Sequence, residues 1–254
     1  MYQLSEQEQN LIEEISKKDY MVAVLNRLND FIGNNNNRDV CLKAFNKIYE
    51  AIVSSKEEND RLLETKRQEG LIRDISQSRK SIAGSIFSNA IIYVFLKNKQ
   101  VGNINEDIFI TSRKSKVPNF TEISTIEVGD ETQKPDCDLV IYRLKNDNTL
   151  KKCIILSLKT SLRERAGQTY KWKLLMEIAS TNNSIKEKYD ITYNPPVEPI
   201  VCFATINFYN EINNPQQKGM FKFFDKAFIA RDLEEKDDFI SYLSEIAEFV
   251  NSEL

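Results

Sequence analysis

Two short stretches carry charged side chains in a pattern that suits phosphodiester hydrolysis. The first is Lys134 to Tyr142, KPDCDLVIY, and the second is Ile154 to Arg165, IILSLKTSLRER. Side chains alternate along an extended strand, so Asp136 and Asp138 share one face, and Ser157 and Lys159 share one face of the next strand. If the two strands pair, a carboxylate at the mouth of one meets an ammonium on the other. A carboxylate can hold Mg²⁺, and a lysine can orient or activate the attacking water. Just beyond, Arg163-Glu164-Arg165 offers a different chemistry. Arginine gives paired hydrogen bonds to guanine O6 and N7, and a carboxylate accepts from cytosine N4. Gln168 and Lys171 extend the same helical surface.

Composition narrows the alternatives. The 254 residues include no histidine, which removes the commonest general base and the commonest zinc ligand together. Ser-His-Asp hydrolases, HNH-type nucleases and HExxH metalloenzymes are therefore excluded. Hydrolysis must use carboxylates, a lysine and a hard cation such as Mg²⁺, which prefers oxygen ligands and keeps several waters. Cys41, Cys137, Cys153 and Cys202 lie far apart with no CxxC pair, as expected of reduced thiols rather than a zinc site. The net charge of −3 argues against a uniformly basic surface, but a cleft needs only local Lys and Arg along the phosphate track. The apolar stretch Ile91 to Leu96 is too short to span a bilayer, so the expectation is a soluble, cytoplasmic protein with no membrane partner.

The elements that must position these residues can be read from periodicity. Ser5 and Glu8 predict a capping box opening a helix with Leu4, Leu11, Ile12 and Ile15 on one face. Gly33 and the asparagines after it break the pattern. Cys41, Phe45, Ile48 and Ile52 then form one buried helical stripe. Ser54 to Gln68 is heavily charged and reads as an exposed helix. From Ser76 to about Lys99 the chain reads as one helix, basic at its start and apolar after. Strands are expected at Asp107 to Thr111, Asp138 to Tyr142, Cys153 to Leu158 and Ile200 to Phe208. A long helix is expected over roughly 161–188, and another over Asp237 to Val250. The fold class is α/β, a mixed central β-sheet of roughly four to six strands flanked by helices. Residues 1–75 form a helical amino-terminal region that would dimerise or clamp DNA, and residues 76–254 form the catalytic domain.

The spacing of PD and the later lysine resembles the PD-(D/E)XK nuclease superfamily, over about residues 76 to 210. Pro135-Asp136 supplies the literal PD. Asp138, directly before Leu-Val-Ile, stands where the family's metal-binding aspartate usually sits, so both remain candidates, with Asp138 preferred. The chain departs from the pattern at Ser157, where the second acid should be. Restriction endonucleases that cut sites containing CCGG, CCNGG or CCWGG depart in the same way and supply the acid from the helix after the lysine. They also carry an R-(D/E)-R element just beyond it, which Arg163-Glu164-Arg165 resembles. At their spacing of about four helical turns the residue here is Trp172. Glu177 is the nearest acid, with Glu164, Glu122 and Glu127 as other sources. A further echo is SRKSIAG, Ser78 to Gly84, although the glutamate expected after Phe87 is replaced by Ser88.

The resemblance implies a type II restriction endonuclease: Mg²⁺-dependent, sequence-specific cleavage of double-stranded DNA leaving 5′-phosphate ends, by a homodimer using no nucleotide cofactor. Asp138, Asp136 and Glu177 would serve the metal and Lys159 the water. Arg163, Glu164, Arg165, Gln168, Lys171, Arg79, Lys80, Arg113 and Lys114 would contact DNA. Two other functions fit parts of the pattern: a DNA-binding protein whose nuclease fold has lost catalysis, and a helical interaction protein.

Overall fold

A computed structural model describes residues 2–33, 37–162, 166–235 and 237–254, with 166–168 described in backbone only. The chain divides into two compact units. The first comprises Met1–Glu106, Ile229–Lys236 and Tyr242–Glu253, and the second Asp107–Phe228 and Asp237–Ser241 together with Leu254.

In the first unit the chain runs through α1 (Glu6–Ser16), α2 (Asp19–Ile32), α3 (Arg38–Lys43), α4 (Ile48–Ser54), α5 (Lys56–Gln68) and α6 (Ile75–Gln100). The expected capping box is present: Ser5 and Glu8 satisfy one another's backbone N–H groups at the start of α1. Glu8 has a second duty, accepting at 2.5 Å from Lys99, which is wholly buried near the end of α6. Helix α2 buries Met21, Val24, Leu25, Leu28 and Ile32 and stops at Gly33, whose φ of 65° a side chain would resist. The stripe Cys41, Phe45, Ile48, Ile52 is buried as expected, but it is shared between α3, the turns at residues 44–47 that hold Phe45, and α4. Asn46, in that break, donates to Asp232 and accepts from the Ser244 backbone N–H, bonds that a continuous exposed helix face would not make. Helix α5 buries Leu63 and leaves its charges in solvent. Ser76, where the sequence changes character, is the second residue of α6 and lies within this unit.

The second unit introduces β1 (Ile108–Thr111), α7 (Phe120–Ser124), β2 (Ile126–Val128), β3 (Glu131–Gln133), β4 (Leu139–Leu144), β5 (Leu150–Lys159), α8 (Ala166–Ser180), α9 (Ser184–Lys188), β6 (Ile191–Thr192), β7 (Ile200–Thr205), α10 (Pro215–Phe221), β8 (Lys226–Ile229) and β9 (Ser241–Tyr242). Helix α11 (Ile246–Glu253) then closes the chain in the first unit. The main sheet has the order β1-β4-β5-β7-β8-β9. The β1-β4 and β4-β5 pairs are antiparallel and β5-β7 is parallel, so the sheet is mixed and the α/β expectation holds. Six consecutive residues of β5, Cys153 to Leu158, are buried, the signature of a strand covered on both faces. A parallel partner requires a crossover, and α8 lies within the connection from β5 to β7.

Two expected helices are shorter than their periodicity suggests. The helix expected over 161–188 is α8 and α9. Asn183 divides them, its side chain accepting from Lys186 N–H at 2.9 Å to cap α9 while donating to the Ile178 carbonyl at 2.9 Å. Between Asp237 and Val250 the chain forms β9 and a 3₁₀ turn before α11. Ile240, Leu243, Ile246 and Val250 are buried all the same, and Phe239 is half-buried.

Candidate active site

Strand β4 enters where β5 leaves. Their register pairs Leu139 with Leu156 and Val140 with Ile155. Continued outward along the backbone, it sets Asp138 beside Ser157 and Asp136 beside Lys159. The Asp138 N–H donates to the Leu156 carbonyl at 3.3 Å, carrying the pairing one residue past the regular strand.

Three charged groups converge there. Lys159 Nζ donates to Asp136 Oδ2 at 2.5 Å and to Asp138 Oδ2 at 3.4 Å. The lysine side chain is 8% exposed, whereas Asp136 is 48% and Asp138 33% exposed. The cation is therefore rooted in the sheet and the carboxylates open to solvent. Asp138 is further fixed, because its Oδ2 accepts the Leu158 backbone N–H at 2.7 Å. Cys137, between the two acids, alternates to the opposite face and is buried. Burial pushes its thiol up to about 12, against the opposing field of Lys114.

At Ser157 the expected second acid is replaced by a hydroxyl pair. Ser157 Oγ lies 3.2 Å from Thr169 Oγ1 of α8, and both residues are buried. Trp172 is buried too. Glu177 is not brought to Lys159. It pairs with Lys173 at 2.6 Å, and Lys173 also donates to Asp225, which accepts the Val201 N–H. Val201 is opposite Ile155, four residues back along β5. That is about 13 Å at a rise of ~3.3 Å per residue. Desolvation alone would lower the Lys173 pKa, but the bonds to Glu177 and Asp225 outweigh it and raise it. Glu122 and Glu127 are exposed on α7 and β2. Among the described residues no three His, Cys, Asp or Glu side chains form a metal-binding group. Two carboxylates still suit Mg²⁺, which commonly takes one or two from protein and the rest from water and phosphate.

The basic candidates divide by unit. Thr111 is opposite Val140, so the chain leaving β1 runs alongside the Asp136–Asp138 segment. Arg113 and Lys114 lie on that exit, exposed, and the Lys114 field reaches the Cys137 thiol. Lys171 is exposed on α8. Arg79 and Lys80 are exposed on α6 in the first unit, where Arg79 donates to Asp60 at 2.7 Å. Arg163, Glu164 and Arg165 lie outside the described residues, as does the side chain of Gln168. Sequence reasoning missed the anchors just before that segment. Glu211 Oε2 accepts the Leu162 N–H at 2.8 Å, and Gln217 Nε2 donates to the Leu162 carbonyl at 3.2 Å. Asn207, Asn210 and Asn214 with Pro215 mark a turn-rich stretch, but nothing in them names the peptide they support.

A family model described as BsaWI restriction endonuclease type 2 matches residues 85–251. A protein of Methanocaldococcus jannaschii named "Putative type II restriction enzyme MjaVIP" is 30% identical over 101 residues, 38% of this chain and 44% of that protein. The chain thus aligns with less than half the length of that relative. Among solved structures, the specific restriction endonuclease AgeI in complex with DNA superposes with a TM-score of 0.44 and 14% identity, over 98% of this chain and 92% of that one.

Proposed function

Because the chain belongs to the BsaWI restriction endonuclease type 2 family, we propose that it is a cytoplasmic type II restriction endonuclease that hydrolyses double-stranded DNA at a specific sequence with Mg²⁺. The observation that carries the reading is the convergence of Lys159 with Asp136 and Asp138 at the edge of the mixed sheet.

Asp138 and Asp136 would hold the cation, which when bound would supply positive charge against the negative charge developing on the phosphate. Asp138 comes to the task with its carboxylate already oriented by the Leu158 N–H. Asp136, half-exposed, can turn from Lys159 toward solvent. Lys159, anchored in β5, orients the attacking water. Water adds to phosphorus in line with the bond to the 3′ oxygen, that bond breaks, and the proton finishes on the 3′ oxygen. The products are a 5′-phosphate and a 3′-hydroxyl. Arg163, Glu164 and Arg165 would read bases, while Arg113, Lys114, Lys171, Arg79 and Lys80 would take the phosphates. Cutting both strands of a palindrome calls for a two-fold dimer, since protein symmetry then mirrors that of the DNA.

The test is a digest of a sequenced plasmid in MgCl₂ with mapping of the ends, repeated in EDTA. Discrete fragments with 5′-phosphates, lost in EDTA, are expected. Intact plasmid across Mg²⁺ and Mn²⁺ concentrations at which the protein still binds DNA would favour the rival reading, a binding protein without cleavage, which the hydroxyl at Ser157 motivates.

A further inference from the structure

We propose that Glu211 and Gln217 are positioning residues that set sequence discrimination without touching DNA, by fixing the peptide from which the base-reading segment departs. This rests on the reading above in which residues 163–165 contact bases.

Between Lys159 and Arg163 the chain leaves the sheet, and its polar backbone groups need partners. They find them in one stretch, residues 207–217. The Phe208 N–H donates to the Thr160 carbonyl at 3.1 Å. Glu211 Oε2 accepts from the Leu162 N–H at 2.8 Å and from Ser161 Oγ at 3.3 Å. Gln217, itself buried, donates to the Leu162 carbonyl at 3.2 Å. Both polar groups of residue 162 are thus held by side chains, and its own side chain is fully buried. A bond to a carboxylate is roughly twice as strong as one between neutral groups, which makes Glu211 the firmer anchor.

The supporting stretch is itself tied to the catalytic strand. Thr205 is paired with Lys159, and its Oγ1 accepts the Asn207 N–H at 2.9 Å. Asn207 takes a left-handed φ of 49°, and its Oδ1 accepts the Glu211 N–H at 2.8 Å. A short relay therefore runs from the Lys159 level of the sheet through Asn207 and Glu211 to Leu162. Beyond the reading segment, Thr169 is held by Ser157 of the same strand. Leu162 and Thr169, on either side of the reading segment, are thus both anchored from the strand that bears the lysine. Base reading depends on such placement, because a bidentate contact displaced by about 1 Å no longer forms both bonds.

The experiment uses the full chain carrying Lys159→Ala, so that bound DNA stays intact. Binding is selected from a pool of duplexes of randomised sequence and read by sequencing, for this parent and for added Glu211→Ala, Glu211→Gln, Gln217→Ala and Gln217→Met. Discrimination between preferred and single-substituted sites should fall roughly tenfold or more in Glu211→Ala and in Gln217→Met. Glu211→Gln, which keeps an acceptor, should recover most of it. Affinity for non-preferred duplexes and its salt dependence should not change. An alanine variant that fails a thermal-melt check is read through Gln217→Met, which keeps the buried volume and loses only the hydrogen bond. Folded variants that keep the parental preference, or that weaken on every sequence alike, overturn the proposal. A parent with no preference at all overturns it together with the function reading, and that outcome is recognisable because it precedes any change at 211 or 217.

Discussion

Asp138 Oδ2 accepts the backbone N–H of Leu158 at 2.7 Å, so the acid on β4 is fastened to the residue immediately before the catalytic lysine candidate on β5. Among the described residues no backbone N–H fastens Asp136, which bonds to Lys159 and is the more exposed of the two. The acids therefore differ in structural cost as well as in chemistry. Asp138→Ala should lower stability by about 1–3 kcal/mol, because the Leu158 N–H loses its acceptor, and should abolish cleavage. Asp136→Ala should leave stability closer to wild type. Urea unfolding alongside the plasmid digest tests both, and equal stability costs would refute the distinction.

Lys159→Ala should reduce the cleavage rate by about 10²- to 10⁴-fold or more while leaving DNA affinity nearly intact. Single-turnover cleavage and a filter-binding titration on one duplex are the measurements. Unchanged cleavage would remove the lysine from the mechanism.

Arg163→Ala should weaken preference for the specific site, whereas Lys114→Ala should weaken binding to all sequences and flatten its salt dependence. Binding to matched and mismatched duplexes at several salt concentrations separates the two. Equal loss on all sequences for Arg163→Ala would reduce it to a phosphate contact.

Cys137 and Cys153 are buried, and desolvation raises both thiols from an ordinary 9.0 to about 12. Their neutral form is the one the fold accommodates. The associated stability is whole below about pH 9, where the unfolded thiols are also neutral, and declines as pH rises towards 12 because only the unfolded chain ionises. Unfolding free energy measured from neutral into alkaline pH should show this decline, and Cys153→Ala should make it shallower. The native thiols should also resist iodoacetamide at pH 8 until denaturant is added. Rapid native alkylation would show that the site is more open than described.

Glu8 caps α1 and neutralises the buried Lys99. Glu8→Ala should cost about 3–5 kcal/mol because it removes the carboxylate paired with a buried cation, and Glu8→Gln with Lys99→Met should restore most of it. A cost below about 1 kcal/mol for the single change would mean that Lys99 reaches solvent more easily than its burial implies.

The parts of this molecule legible in sequence are those whose signal is local. Alternation around Asp136 and Asp138 and around Ser157 and Lys159 placed the acids and the lysine on facing strands, because side-chain period in a strand is fixed. Of the four strands read in advance, β4, β5 and β7 each hold four or more consecutive buried residues, and β1 buries Ile108, Ile110 and Thr111. Those overlooked are two to four residues long, too short for a period to show, and β6 pairs with β2, more than sixty residues away in sequence. Asn183 could be seen as a helix-capping type, yet the hydrophobic period ran on past it and made one helix of two. Glu177 was chosen by distance along α8, but the buried Lys173 claims it, and nothing in spacing announces a counter-ion requirement four residues earlier. Glu211 and Gln217 were invisible for the opposite reason: their partners are backbone groups some fifty residues away.

The hairpin joining β4 to β5 turns at Lys145 to Thr149, where Asn148 adopts a φ of 62° and the Lys145 N–H meets the Thr149 carbonyl. A register shift next to the bend leaves Lys151 unpaired, and from the Arg143–Lys152 pair onward everything up to the acids, and up to the lysine, is counted off in steps of two. One extra residue inside either arm would present Cys137 where the aspartates stand, or Leu158 where Lys159 stands. Lengthening the bend itself would alter neither count. Insertions and deletions among kindred chains should therefore gather at 145–149 and be absent from the two arms, a molecular ruler that tolerates change at its fold and nowhere along its graduations.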